Sequence, residues 1–337
     1  MKVKEMSWFQ KGSFSDMDSV PTRVLRLGLS DRSLTWLVLA PIALYWLHSA
    51  RLTTLLASSP GICQLLGVTM PLSTQSQGDA EQYVLVASLD NARNLSNILK
   101  AITFKDHAIF SATPNGLKVT VEDSKCLQAN AFIQSEIFQE YTIKEDSVGF
   151  QVNLTVLLDC LNIFGGSTAP GVRLPSDPVP GGGGVVTVCK INTQEPEEPV
   201  DFEFCSTNVT NKVILQSESL KEAFSELDMT SEVLEITMSP SQPYFRLSTF
   251  GNSGSAHYDY PKDSDMMELF KCTTTQTNRY KMSLLKPSTK ALALSCKVSV
   301  RTDSRGFLSL QYLVRNDDGQ ICFVEYYCCP DEEVAED

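Results

Sequence analysis

Apolar residues recur at helical spacing shortly after residue 88. Four of them lie three or four positions apart and share one face of a helix predicted between Leu89 and Ile102: Ala92, Leu95, Leu99 and Ile102. Asp90 is placed to cap the first turn of this helix. The opposite face forms a single polar stripe: Arg93, Asn97 and Lys100. The pattern therefore predicts an amphipathic helix with a polar outer face.

Alternating apolar and polar runs follow this helix, separated by turn residues such as Pro114-Asn115-Gly116. Four runs have the length and alternation of strands: Phe104–Ala112, Leu117–Glu122, Leu127–Gln134 and Tyr141–Lys144. A second helix is predicted from Asn153 to Phe164, because its leucines share one face. The order is helix, antiparallel meander, helix.

The same order returns in the second half of the body. Ser219–Glu222 matches the capping-box pattern, and the apolar residues there mark one helical face: Leu220, Ala223, Phe224 and Leu227. Pro287, at a first-turn position, predicts a fourth helix that includes Leu294. Strands are predicted before and after that helix: Val233–Met238, Tyr244–Phe250, Ser255–Tyr260, Lys297–Thr302, Phe307–Arg315 and Ile321–Cys328.

This repetition predicts two similar α+β domains, each with a sheet covered by helices on one side only. The first domain is assigned to residues 70–191 and the second to residues 209–330. The connector between them, residues 192–208, is acidic and contains proline, which suits an exposed, extended crossing. Residues 331–337 are predicted to be an acidic tail.

Residues 1–69 differ in character from the rest of the chain. The run from Leu34 to Leu47 is apolar and lies between two arginines, so a membrane segment or a displaced signal sequence is one alternative. The run is shorter than the roughly 20 apolar residues that a spanning helix needs, and Pro41 interrupts it. A start-like sequence at Met70 leads directly into the patterned body. Residues 1–69 are therefore predicted to be an extension outside the fold.

The charge and cysteine content argue against several classes of protein. A formal net charge of −12 is unfavourable for a general polyanion binder, so any contact with nucleic acid must be local. Ten cysteines form no Cys-x-x-Cys pair and three histidines form no ligand cluster, so free thiols in a reducing compartment are expected, with no metal site and no cofactor. Four cysteines lie among apolar residues and are expected to act as small hydrophobic side chains: Cys160, Cys189, Cys296 and Cys322.

The segments VASLDNARNLSNILKAI, ANAFIQ, NLTVLLDCLNIFG, CKINTQEPEEPVDFEFCSTN, SEVLEITMS, YFRLSTFGN and QICFVEYYCCPDEE carry a family resemblance. In these segments the chain resembles the PCNA-like sliding clamps, and among them the subunits of the heterotrimeric nine-one-one DNA-damage clamp. The resemblance implies a two-domain α+β DNA clamp with antiparallel sheets outside and four helices lining an inner channel. It also implies a non-catalytic subunit that encircles DNA at damage sites and recruits checkpoint signalling and repair factors.

The resemblance implies partners and site residues as well. The partners would be two paralogous clamp subunits, a clamp loader of the replication-factor-C type, and double-stranded DNA bound in the nucleus without sequence preference, with no small-molecule substrate. Five basic residues on the helices would face DNA: Arg93, Lys100, Lys221, Lys286 and Lys290. Two strand edges would join neighbouring subunits. They contain Val185, Val186, Thr187 and Val188 on one side and Ser255, His257 and Tyr258 on the other.

The chain departs from the family near residues 166–183. Residues 165–183 read GGSTAPGVRLPSDPVPGGG, whereas the family carries a longer stretch there with two strands. Prolines and glycines at this density do not sustain paired strands. The first domain is therefore expected to lack part of its sheet beside one of the ring edges.

Two other functions stay open at this point. Four acidic residues could hold metal ions for a 3′ to 5′ exonuclease, because two-metal cleavage needs clustered acids: Asp259, Asp263, Asp265 and Glu268. A solvated turn centred on Pro261-Lys262-Asp263 accounts for the same residues. His107 and His257 have no evident nucleophile partner, so a hydrolase is not predicted. The other alternative is a membrane-associated form directed by residues 34–47.

Overall fold

One α+β unit occurs twice along the chain. The computed structural model describes residues 5–6, 25–30, 34–40, 83–89, 92–165, 185–252, 254–316 and 319–331; at 5–6, 25–30, 34–40, 163–165 and 185–190 the description is of the backbone. The first unit contains β4 (Leu85–Leu89), α1 (Ala92–Ala101), β5 (His107–Thr113), β6 (Gly116–Asp123), β7 (Leu127–Gln134), β8 (Glu140–Ile143), β9 (Val148–Asn153), α2 (Leu154–Gly165) and β10 (Val185–Ile191).

The second unit repeats this order and adds two strands at its end. It contains β11 (Val209–Gln216), α3 (Ser217–Glu226), β12 (Val233–Met238), β13 (Phe245–Gly251), β14 (Gly254–Tyr260), β15 (Met267–Cys272), β16 (Gln276–Lys281), α4 (Met282–Leu285), α5 (Thr289–Leu294), β17 (Ser295–Asp303), β18 (Leu308–Arg315) and β19 (Ile321–Cys328). Three strands precede both units: β1 (Glu5–Met6), β2 (Leu25–Ser30) and β3 (Leu34–Ala40). Short 3₁₀ turns lie at Ser135–Ile137, Ser206–Asn208 and Lys286–Ser288.

The two units share one continuous nine-stranded sheet, ordered β15-β11-β17-β18-β19-β7-β6-β5-β9. The units meet where β19 pairs antiparallel with β7, from Phe323 opposite Phe132 to Cys328 opposite Leu127. Backbone hydrogen bonds across this pair satisfy one strand edge of each unit. The join is therefore a continuation of the sheet.

Smaller sheets complete the two units. In the second unit, four strands follow the order β14-β13-β12-β16. In the first unit, β4 pairs with β8 on one side and with β2 on the other, and β1 pairs with β2. β10 pairs with β3, and β2 lies beside β3.

The helices pack side by side across the boundary between the units. α1 packs against α2 within the first unit and against α5 of the second, and α5 also packs against α3. α1 buries Leu95, Ile98 and Leu99, so its apolar stripe contributes to the core. The hydroxyl of Tyr326 on β19 donates a hydrogen bond to the carbonyl oxygen of Ala101 at 2.5 Å. The last strand of the second unit therefore holds the C-terminal end of α1.

Most predicted elements are present, several with shifted ends. β7, β12 and β19 have the predicted bounds. The pattern did not predict β9, β15 and β16. β9 runs directly into α2 without a turn residue, and β15 and β16 are largely half-exposed, with polar residues on both faces.

Two helix starts differ from the prediction. α3 begins at Ser217, and the hydroxyl of Ser219 donates to the carbonyl oxygen of Gln216 at 3.0 Å, so Ser219 is no N-cap. The fourth helical segment begins at Met282, and Pro287 lies in the 3₁₀ turn between α4 and α5. The cap predicted at Asp90 lies outside the described residues.

The structure includes part of residues 1–69 in the fold, which differs from the expectation that this extension lies outside it. β2 pairs with β4, from Leu25 opposite Leu89, and β3 pairs with β10, from Leu34 opposite Ile191. The apolar run from Leu34 to Leu47 therefore begins with a β-strand, β3. None of the helices in the described ranges is long and apolar enough to cross a membrane. The rest of residues 1–69, the stretch 166–183 and the tail after Asp331 lie outside the described residues.

Substitution of Tyr326 by phenylalanine is expected to lower the free energy of unfolding by about 1 to 2 kcal/mol, because the buried carbonyl of Ala101 loses its donor. Urea denaturation of the purified chain measures the change. Tyr258→Phe, at a half-exposed tyrosine on β14, is the matched control and is expected to leave stability within about 0.5 kcal/mol. Equal stabilities of the two variants would contradict the assignment.

Candidate nucleic-acid interface

Four exposed cations lie in the helical layer through which the two units meet. Arg93 and Lys100 lie on α1, Lys286 lies in the 3₁₀ turn before α5, and Lys290 lies on α5; all four are exposed. The ammonium of Lys290 donates a hydrogen bond to the carbonyl oxygen of Thr103 at 3.1 Å, which ties α5 to the residues just after α1. Neither α1 nor α5 contains an acidic residue. We call the four residues the junction cations.

Lys221 has different surroundings from the junction cations. It is half-buried on α3 and forms an ion pair with Glu218 at 3.3 Å. α3 also exposes Glu222 and Glu226, and α2 exposes Asp159 without carrying any basic residue. The excess of positive charge in the helical layer therefore lies on α1, α5 and the 3₁₀ turn before α5, and Lys221 is the weakest of the five predicted DNA-facing residues.

Among the described residues, several strands end a sheet and pair on one edge only, and β14 and β10 are two of them. β14 pairs with β13 alone, and β10 pairs with β3 alone. On β14, Ser255 and His257 are exposed, whereas Tyr258 is half-buried against the core. The other predicted edge residues lie on β10, where the side chains are outside the described part: Val185, Val186, Thr187 and Val188.

The join inside the chain has a counterpart in these two edges. β7 is the fourth strand of the first unit and β14 is the fourth strand of the second, while β19 and β10 are the last strands of their units. β7 and β19 pair with each other inside the chain. The corresponding strands, β14 and β10, keep the equivalent edges open. Pairing β14 of one molecule with the last strand of a similar neighbour would repeat the internal join head to tail.

Comparison with known proteins identifies the family. The model for the repair protein family Rad1/Rec1/Rad17 matches residues 84–314. The chain belongs to this family. The cell cycle checkpoint protein RAD1 of Homo sapiens is 70% identical over 279 residues, which cover 79% of this chain and 99% of that protein.

A solved structure supports the fold of this family member. PCNA from Thermococcus kodakaraensis superposes with a TM-score of 0.55 at 17% identity, covering 74% of this chain and 99% of that chain. The predicted PCNA-like α+β fold with antiparallel sheets is confirmed. A more distant relative, the DNA repair exonuclease REC1 of Mycosarcoma maydis, is 20% identical over 446 residues, with 74% of this chain and 96% of that protein covered.

The connector lies on the sheet face opposite the helices. Tyr326 points toward α1, so the next residue on β19, Tyr327, points to the other face. There the Phe204 ring lies 5.4 Å from the Tyr327 ring, and the Phe202 ring lies 4.9 Å from the Phe307 ring. The sequence pattern does not predict this packing, because an acidic, proline-bearing segment suits an exposed, extended crossing.

Polar contacts fix the same connector to both units. In the first unit, the Val200 amide donates to Glu122 Oε1 at 2.8 Å, and Gln128 Nε2 donates to the Val200 carbonyl oxygen at 2.8 Å. In the second unit, Arg305 Nη2 donates to the carbonyl oxygen of Phe202 at 2.9 Å. The crossing is largely exposed, but it is anchored along residues 200–204 and is not a free tether.

The four carboxylates considered for metal binding do not form a cluster. Asp259 accepts two hydrogen bonds from Arg246, at 2.5 and 2.7 Å, and these bonds hold the pKa of Asp259 below its usual value. Glu268 pairs with Lys297 at 2.8 Å, and Asp263 and Asp265 are exposed. Within the described ranges no three His, Cys, Asp or Glu side chains come together to hold a metal ion. The geometry therefore offers no support for a two-metal nuclease centre.

The cysteines show one departure from the prediction. Cys322 is buried and Cys160 is half-buried, whereas Cys296 is exposed. The prediction is wrong for Cys296, because the pairing of β17 with β18 shifts register between Ser295 and Lys297 and leaves Cys296 unpaired in the bulge. The side chain of Cys189 lies outside the described part.

The sequence pattern suggests no role for the adjacent pair Cys328 and Cys329. In the structure the pair lies where the β6–β7 turn meets the C-terminal strand. The amide of Cys329 donates to the carbonyl oxygen of Cys126 at 2.9 Å. Burial raises the pKa of Cys328, and it raises the pKa of Cys329 to about 11. Both thiols are therefore protonated at neutral pH and act as packing groups there.

Substitution of Phe202 by alanine is expected to loosen the connector, because an aromatic pair contributes about 1 kcal/mol beyond the area it buries. Amide exchange at residues 200–205 should then accelerate at least about fivefold, measured by mass spectrometry on the isolated chain. Glu198→Ala, at an exposed connector residue, is the control and should leave exchange unchanged. Equal exchange rates in the two variants would contradict the anchoring of the connector through Phe202.

Proposed function

We propose that the chain is a non-catalytic subunit of a heterotrimeric checkpoint sliding clamp, which encircles DNA at sites of damage and recruits checkpoint signalling and repair factors. The observation that carries the proposal is the β7–β19 join together with the open edges of β14 and β10. A molecule whose two ends repeat its own internal join associates in series. Such head-to-tail contacts form closed rings when the rotation at each contact closes.

The junction cations support a DNA-facing role for the helical layer. Lysine and arginine on this layer attract phosphates without reading the bases, because they contact the backbone alone. Their confinement to α1, α5 and the 3₁₀ turn before α5 is compatible with the net charge of −12, since the acidic connector lies on the opposite face of the sheet. Enclosure, rather than tight binding, would then keep the ring on DNA.

The family supplies the expected partners of this subunit. The neighbours in the ring would be two paralogous clamp subunits that carry the complementary strand edges. A clamp loader of the replication-factor-C type would place the ring on double-stranded DNA in the nucleus. The proposal requires no cofactor and no small-molecule substrate.

A metal-dependent exonuclease is the weaker candidate. Its support is that the distant Mycosarcoma maydis relative is named a DNA repair exonuclease. Asp259 and Glu268 are each engaged by a cation, so metal binding would first have to break two ion pairs. The human relative, which is far more similar to this chain, is named a checkpoint protein.

Proline substitutions on β14 test the ring edge. Amide groups of an edge strand point alternately toward the paired strand and toward the open side. Of Ala256→Pro and His257→Pro, one therefore removes a bond to β13 and lowers stability, while the other removes an outward donor and leaves stability nearly unchanged. Whichever variant keeps normal stability has lost the outward donor, and that variant is expected to abolish assembly with the two paralogous subunits. Light scattering of the purified complex measures the assembly.

The wild-type complex, loaded on DNA, provides the functional readout. It should stay on closed circular DNA and be lost from the same DNA after linearisation. Equal loss from circular and linear DNA, or normal assembly of the stable proline variant, would contradict the proposal.

Removal of two junction cations tests the DNA-facing layer. Lys100→Ala combined with Lys290→Ala is expected to weaken the salt-dependent binding of the assembled ring and to lower the slope of log K against log salt by up to about 2, because each lost phosphate contact removes about 0.9. Lys125→Ala, in the turn between β6 and β7, is the control and removes one charge outside the helices. Identical slopes in the double variant and the control would argue against DNA contact at these helices.

A further inference from the structure

The first unit lacks two strands that the second unit has. After its second helical segment, the second unit continues through β17, β18 and β19, whereas the first unit has β10 alone after α2 among the described residues. The intervening sequence contains four prolines, at positions 170, 175, 178 and 180, and ends in a run of glycines. Such a sequence cannot supply the ladder donors of two paired strands.

β2 and β3 lie in the positions that correspond to the missing strands. In the second unit the strands run in the order β15-β11-β17-β18-β19. In the first unit β8 pairs with β4, β4 pairs with β2, and β3 pairs with β10. β2 lies beside β3, and the Leu29–Ser30 end of β2 also pairs with the two-residue strand β1. β2 therefore matches β17, and β3 matches β18.

The strand directions agree with this correspondence. β17 is antiparallel to β11, and β2 is antiparallel to β4. β18 is antiparallel to β19, and β3 is antiparallel to β10. The register is continuous over five residue pairs between β2 and β4 and over seven between β3 and β10.

The sequences of β2 and β3 are suited to an interior position in a sheet. β3 reads LTWLVLA and β2 reads LRLGLS, and neither contains proline. Every residue of β4, their neighbour, is buried. Without β2, one full edge of this buried strand would keep unpaired amide and carbonyl groups, which cost free energy.

We propose that β2 and β3, residues 25–30 and 34–40, act together as a complementing strand pair, here called the hairpin, that replaces the two strands missing after α2. The hairpin covers the open edge of β4 and the inner edge of β10, and so completes the first unit. β10 can then present its outer edge to a neighbouring strand. That last consequence rests on the proposed ring, whereas completion of the first unit does not.

A truncated chain starting at Met70 tests the hairpin directly. Amide exchange of the isolated protein, without DNA or partner subunits, is compared between residues 70–337 and the full chain. Truncation is expected to accelerate exchange at least tenfold in β4 and β10 and to leave β12 and β13 of the second unit unchanged. A synthetic peptide of residues 24–41 added to the truncated chain should restore protection. The same peptide with Leu27→Pro and Val38→Pro should not. Equal protection of β4 and β10 with and without residues 1–69 would overturn the proposal.

Single prolines in the full chain keep the test decisive if the truncated chain does not fold. Leu27→Pro should accelerate exchange mainly in β4, because Leu27 lies on β2 and β2 pairs with β4. Val38→Pro should accelerate exchange mainly in β10, because Val38 lies on β3 and β3 pairs with β10. Unchanged exchange in both strands would overturn the proposal. A normal hairpin response in a chain that forms no ring would instead count against the proposed function alone.

Discussion

A β-strand carries hydrogen-bonding groups on both edges, and the organisation of this protein follows from where those groups find partners. Inside the chain, β7 and β19 pair and fuse two α+β units into one nine-stranded sheet. The corresponding strands at the other ends of the units, β14 and β10, keep an open edge. One rule of pairing thus accounts for the single body that the two units form and underlies the association in series that we propose.

The two faces of the shared sheet differ in chemistry. One face carries the helical layer with the junction cations, and α1 meets α5 there at the boundary between the units. On the other face the acidic connector is fixed by Phe202 and Phe204. Alternation along β19 creates this division, since Tyr326 binds the end of α1 while Tyr327 packs under the connector. A chain that is acidic overall can in this way present a locally cationic surface.

Sequence patterns were informative where a residue's environment depends on local periodicity. α1, β7, β12 and β19 follow from spacing or alternation alone, and the repetition of helix and meander predicts two similar units.

Patterns failed where tertiary context decides. Cys296 sits among apolar residues but is turned out by a β-bulge, and β15 and β16 lack a clean apolar face. β2 and β3 were missed because the strands they pair with, β4 and β10, lie far along the chain, where no local pattern reveals the pairing. The candidate cations were found on the helices by spacing and resemblance. The ion pair that distinguishes Lys221 from the others required coordinates.

The most direct test of the edge-to-edge account is amide hydrogen exchange of this chain alone and in complex with its two paralogous subunits. The account predicts new protection on β14 and β10. It also predicts unchanged exchange on β9 and β15, which end the nine-stranded sheet. Protection confined to the helical layer or to the connector, with β14 and β10 unaltered, would contradict it.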